Sequence, residues 1–81
     1  MNLELYYFIE CPFCQRVLRK IDELGIQSIV LKNTMENPEF AQKLLEDTGR
    51  RTVPCLYING KPMHESDDIN AWLVQNKEEI S

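Results

Sequence analysis

The chain has 81 residues, of which 43% are hydrophobic, 9% aromatic and 27% charged; nine basic against thirteen acidic side chains leave a net charge of −4. That apolar content can build a small core, which excludes intrinsic disorder, and the length suits one domain over residues 1–81. The acidic balance argues against a nucleic-acid binder, which needs a basic patch to neutralise phosphates, and against attraction to an anionic membrane surface.

The longest apolar runs, residues 5–9 and 29–31, fall far short of a membrane span of roughly 20 residues. Met1-Asn2-Leu3-Glu4 carries neither the basic region nor the long apolar stretch of a secretion signal, so a cytoplasmic, reducing compartment is expected. Three cysteines, an odd number, fit that compartment better than a secreted disulfide scaffold. A monomer is expected.

Residues 3–9 are dense in apolar and aromatic side chains and read as a buried strand. Pro12 suits a first helical position, where a missing N–H costs nothing. Phe13, Val17, Leu18, Ile21 and Leu24 follow at helical spacing, with Arg16, Arg19, Lys20 and Glu23 on the other side, and Gly25 stops the helix. Residues 27–31 form a short second strand. Asn37-Pro38-Glu39 repeats the start signal with a capping side chain, a proline and an acid; Phe40, Ala41, Leu44 and Leu45 make the apolar stripe, and Thr48-Gly49 ends it.

Residues 53–58 read as a third strand, and Asn59-Gly60 is a strong hairpin signal. Residues 61–64 are then a short fourth strand, which Pro62 marks as an edge. Ser66 is expected to cap a last helix, with Asp67 and Asp68 in its first turn and Ile69, Trp72, Leu73 and Asn76 on its apolar face. The predicted order is β-α-β-α-β-β-α. Its first three elements form a right-handed unit with parallel strands and its last two strands an antiparallel hairpin. The expected α/β fold is one mixed four-stranded sheet with three helices.

Cys11-Pro12-Phe13-Cys14 stands where the first strand turns into the first helix. Cys11 precedes the helix, where unpaired N–H groups and the positive end of the helix dipole favour an anion. A thiolate is the attacking species in disulfide exchange, so Cys11 is the expected nucleophile. Cys14, one turn on, is close enough to form a disulfide with it, better shielded, and expected to resolve. A zinc site would need four ligands, with only Cys55 and His64 to complete the set, so no metal is expected.

These residues resemble a glutaredoxin over nearly the whole chain. Besides Cys11-Pro12-Phe13-Cys14, which looks like the dithiol active site, Arg51-Thr52-Val53-Pro54 resembles the loop before strand three, and Ser66-Asp67-Asp68 the acidic start of the last helix. The resemblance implies a thioredoxin-like fold and glutathione-dependent thiol–disulfide exchange, with glutathione as reductant and disulfide-bonded or glutathionylated proteins as partners. It implies a cis bond between Val53 and Pro54, pairing of the Val53 backbone with the cysteinyl part of glutathione, and γ-glutamyl binding by Ser66 and Asp67. Phe13, Thr52 and Pro54 complete the implied contacts.

Two positions depart from that pattern. Phe8 stands where many glutaredoxins carry a lysine, with Arg16 or Arg50 as substitutes that read more simply as surface charges. His64-Glu65 replaces a glycine pair, and Met63-His64-Glu65-Ser66-Asp67-Asp68-Ile69 resembles the N-terminal domain of glutathione transferases, in which a Glu-Ser pair binds the γ-glutamyl group; Glu65 therefore joins the expected contacts. The alternatives are an iron–sulfur carrier, using Cys11 and glutathione, and a thioredoxin-like donor reduced by a flavoenzyme. Cys55 reads as a buried small hydrophobe, Trp72 as core, Tyr6 and Tyr7 as strand packing, and His64 as an edge-strand surface residue.

Overall fold

The computed structural model describes residues 1–80. Its elements are β1 (Leu3–Tyr7), α1 (Pro12–Leu24), β2 (Ile29–Asn33), α2 (Pro38–Thr48), β3 (Cys55–Ile58), β4 (Lys61–Met63), α3 (Ser66–Gln75) and a short α4 (Lys77–Ile80). The strands form one sheet in the order β2-β1-β3-β4. β1 runs parallel to β2, with Leu3 opposite Ile29, and antiparallel to β3, with Leu3 opposite Ile58. β3 and β4 are the expected antiparallel hairpin, and Pro62 lies on the edge strand.

Side-chain alternation along the two central strands fills both faces of the sheet. Leu3, Leu5 and Leu56 point to one face, where Val17 of α1 and Ile69 and Leu73 of α3 close the larger core. Tyr6, Cys55 and Tyr57 point to the other, under Leu44 and Phe40 of α2. The Tyr6 ring lies 4.9 Å from that of Tyr57 and edge-on to Phe40. Each fully buried large side chain contributes roughly 1.5–3 kcal/mol relative to exposure, so these two small clusters set the orientation of all three main helices.

Helix boundaries follow the punctuation in the sequence. Cys11 caps α1, Pro12 is its first residue, and Gly25 ends it at φ 70°, with the Ile26 N–H donating back to the Ile21 carbonyl at 3.1 Å. Asn37 caps α2 by accepting the Glu39 N–H at 3.0 Å.

Six expectations need correction. β1 stops at Tyr7 rather than residue 9, because the chain turns at Ile9 and Glu10 and the Cys11 N–H donates to the Phe8 carbonyl at 3.3 Å. β2 is shifted two residues, to Ile29–Asn33: it is an edge strand, so pairing with Tyr6 and Tyr7 extends it through polar Lys32 and Asn33. β3 begins at Cys55, and β4 ends at Met63. Glu65, not Ser66, is the residue before α3; Ser66 is already helical and buried, and no side chain caps this end. Finally, a fourth helix follows Asn76, because Ile80 returns into the larger core.

Candidate active site

The turn after β1 and the start of α1 place the two cysteines. Cys11, before the first helical residue, accepts the Cys14 N–H on its Sγ at 3.4 Å. Its thiol also donates to the carbonyl oxygen of Val53 at 3.9 Å. Cys11 is 7% exposed and Cys14 fully buried, the asymmetry expected of an attacking and a shielded thiol. Burial pushes the Cys14 thiol up to about 12; a hydrogen bond with the Phe8 backbone opposes the shift and the neighbouring Cys11 adds to it. Cys14 therefore keeps its proton at neutral pH. Both are free thiols.

The partner of Cys11 belongs to the loop before β3. The Val53–Pro54 bond is cis, as the resemblance implies. Val53 stands two residues ahead of Cys55, the first paired residue of β3, so its backbone lies beyond the ladder. Such a backbone can pair with an extended peptide laid alongside it. Pro54 is buried, Thr52 exposed, and Val53 half-buried against the Tyr6 cluster.

α3 supplies the third side. Glu65 adopts φ 72° and turns the chain from β4 into the helix, and the first-turn N–H groups of α3 receive no side-chain cap. Unpartnered N–H groups at a helix start favour an anion. The Asp67 carboxylate reaches across to α1, where Arg16 Nη2 meets it at 2.5 Å.

Phe13, Thr52, Val53, Pro54, Glu65, Ser66 and Asp67 all line one cavity of about 230 Å³, completed by Arg16. Seven residues drawn from three separate sequence blocks thus share one wall system, to which Cys11 is joined through Val53. A larger cavity, about 390 Å³, lies at the opposite end of β1 and α1 among residues such as Met1, Gly25 and Ile80, away from the cysteines. Among the described residues there is no cluster of three or more metal-ligating side chains.

Arg16, which reads in the sequence as a surface charge, lines the cavity. The signal was its spacing: three residues after Phe13, it lies on the same face of α1. Arg50 lines no part of this cavity; its charge acts on Cys55 and His64 instead. His64 is not the surface residue expected. It is half-buried, and both ring nitrogens are shielded without a partner. Burial holds its imidazole below the usual range, with Arg50 adding and Glu65 opposing. Cys55 is buried as expected, and burial raises its thiol to about 11.

The family model for the glutathione S-transferase N-terminal domain matches residues 5–80. Among curated proteins, the chain is 42% identical to Glutaredoxin-C6 of Oryza sativa subsp. japonica over 60 residues, covering 72% of this chain and 54% of that one. It is 32% identical to Glutaredoxin-1 of Saccharomyces cerevisiae over 65 residues, covering 73% and 59%. The chain spans about half the length of these curated relatives. Among solved structures, it is similar to a wheat glutaredoxin, with TM-score 0.76 and 29% identity over 100% of this chain and 83% of that one. It is also similar to glutathione transferase Omega 3C of Trametes versicolor, with TM-score 0.81 and 28% identity over 100% of this chain and 36% of that one. The two resemblances seen in the sequence, to glutaredoxins and to the transferase N-terminal domain, are therefore both found by comparison. The chain belongs to the glutathione S-transferase N-terminal-domain family and has the thioredoxin-like fold of the glutaredoxins.

Proposed function

We propose that the chain is a glutathione-dependent thiol–disulfide oxidoreductase, with Cys11 as its nucleophile and Cys14 as its resolving thiol. The observation that carries this reading is the contact of the Cys11 thiol, at the start of α1, with the Val53 carbonyl on the wall of the cavity. At the start of α1 the Cys11 Sγ accepts the Cys14 N–H, a contact available to the sulfur whether it attacks or leaves, so one site serves both half-reactions.

In the glutathione route, the Cys11 thiolate attacks the glutathionyl sulfur of a glutathionylated protein. The protein thiolate leaves and takes a proton, and Cys11 carries glutathione as a mixed disulfide. A second glutathione, as thiolate, attacks that sulfur; oxidised glutathione departs and the Cys11 thiolate is restored. In the dithiol route, Cys11 forms a mixed disulfide with a protein disulfide, and Cys14 loses its proton and displaces the protein thiol. Two glutathione molecules then reduce the Cys11–Cys14 disulfide.

Glutathione fits the cavity as an added strand on the Val53 backbone, with its γ-glutamyl carboxylate at the N–H groups of Ser66 and Asp67 and its ammonium on the Asp67 carboxylate. Phe13, Thr52, Pro54 and Glu65 supply the remaining walls. A reducing compartment such as the cytoplasm suits this chemistry.

The test is reduction of a glutathionylated peptide, coupled in one arm to glutathione reductase and in the other to thioredoxin reductase. Turnover is expected only with glutathione and glutathione reductase. Cys11→Ser abolishes it, whereas Cys14→Ser retains the glutathione route. Full activity of Cys11→Ser, or turnover only with thioredoxin reductase, overturns the reading.

A further inference from the structure

The charges around the cavity have an arrangement that exchange chemistry does not require. Among the described residues, Arg16 is the one cation on its wall, facing the acids Glu65 and Asp67. Its guanidinium joins the second turn of α1 to the Asp67 carboxylate in the first turn of α3 at 2.5 Å. The Arg16 side chain is 47% exposed and that of Asp67 77%, so water screens the pair and it stabilises the fold little. Two side chains that gain so little from each other can exchange partners readily.

An ion pair of this kind is complementary to a zwitterion. A free α-amino-acid head carries an ammonium and a carboxylate on one carbon. Laid against Arg16 and Asp67, its ammonium takes the Asp67 carboxylate and its carboxylate takes the guanidinium. Two charge-assisted hydrogen bonds then replace one, and a planar guanidinium suits a carboxylate in a forked contact. The uncapped N–H groups of α3 lie beside Asp67 and add to the attraction for the carboxylate.

We propose that Arg16 is a specificity-determining residue, which with Asp67 reads the zwitterionic α-amino-acid head of a γ-glutamyl thiol. The inference rests on the glutathione-binding reading above and deepens it: it assigns the α-carboxylate a side-chain partner as well as helix N–H groups. The site then selects γ-glutamyl groups by the head, and a peptide disulfide-linked to a thiol of the same length lacking that carboxylate is a poor substrate.

The experiment compares two mixed disulfides of one peptide as substrates, with glutathione as the common reductant, following release of the peptide thiol. One carries glutathione. The other carries 4-aminobutyryl-cysteinyl-glycine, which keeps the amine and the sulfur and lacks only the α-carboxylate. For the unaltered chain, KM is expected to be about tenfold lower for the glutathionylated peptide. In Arg16→Ala this preference falls to about twofold, through KM more than kcat, and in Arg16→Lys it is intermediate, because a point charge replaces the fork. A general structural effect moves both substrates equally and leaves the preference intact, so an unchanged preference in Arg16→Ala overturns the proposal. A lower KM for the glutathionylated peptide in Arg16→Ala overturns it too, by showing that Arg16 competes for Asp67. Failure of the unaltered chain to use either substrate instead sinks the exchange reading itself, before any Arg16 variant is made.

Discussion

The Cys11 sulfur and the Val53 carbonyl oxygen are 42 residues apart in the chain and 3.9 Å apart in space. The contact ties the start of α1 to a loop whose backbone lies beyond the ladder, and Cys11 keeps 7% of its surface exposed. Cys14 and Cys55 are fully buried, and burial raises both thiols, to about 12 and about 11. Iodoacetamide at neutral pH is therefore expected to modify Cys11 first in the folded chain, with Cys14 and Cys55 reacting only after denaturation. Peptide mapping by mass spectrometry reads the order, and early modification of Cys55 contradicts it.

The same buried thiols give the fold a pH dependence. In the unfolded chain a thiol ionises near pH 8.5–9, whereas the folded form holds its proton on Cys55 up to about pH 11 and on Cys14 up to about pH 12. Between those limits the folded state binds more protons, so stability is intact below about pH 9 and falls as pH rises. The slope is about 1.4 kcal/mol per pH unit for each thiol at most. Urea melts of reduced protein between pH 7 and 11 are expected to show this decline, less steep in Cys55→Ala. The raised tyrosines, Tyr6 and Tyr57, join only above about pH 10. A midpoint that is flat from pH 8 to 11 contradicts the argument.

Phe13 stands between the cysteines and is 58% exposed, with its ring on the cavity wall. A hydroxyl added to that ring has room to reach water and leaves the aromatic face in place. Phe13→Tyr is expected to change the exchange rate by less than about threefold, roughly 0.6 kcal/mol in the barrier. A tenfold change shows that the hydroxyl takes part in the chemistry.

Glu65 carries a backbone conformation suited to glycine, with φ 72° and ψ 115°. Such a conformation costs a non-glycine residue about 1–3 kcal/mol, and glycine would return about 0.5–1 of that through its freer unfolded chain. Glu65→Gly is expected to stabilise the fold by about 1 kcal/mol, a rise of roughly 4–8 °C in Tm for a chain of this size. A lower Tm shows that the Glu65 side chain contributes more than the strain removes.

Much of this was legible in the residues. Pro12, Gly25, Asn37, Gly49 and Asn59-Gly60 locate the ends of α1 and α2 and the hairpin, because caps and turns are local chemistry. The seven non-cysteine residues assigned to the site converge on one cavity because the fold brings the three sequence blocks together. What escaped was set by tertiary pairing. The register of β2 depends on β1, and the helical status of Ser66 depends on the turn at Glu65. Ile80 reads as the end of a charged stretch until it is seen filling the larger core. Arg16 looked like one of several surface charges on α1, since nothing in its own segment shows that Asp67, 51 residues on, lies across from it.

The central claim is that Cys11 carries the reaction. The most direct measurement is to incubate reduced Cys14→Ser protein with oxidised glutathione and map the adduct by mass spectrometry. The account expects a single glutathionyl group on Cys11, released by excess reduced glutathione, and none on Cys11→Ser. An adduct on Cys55, or no adduct at all on a folded Cys14→Ser chain, contradicts it.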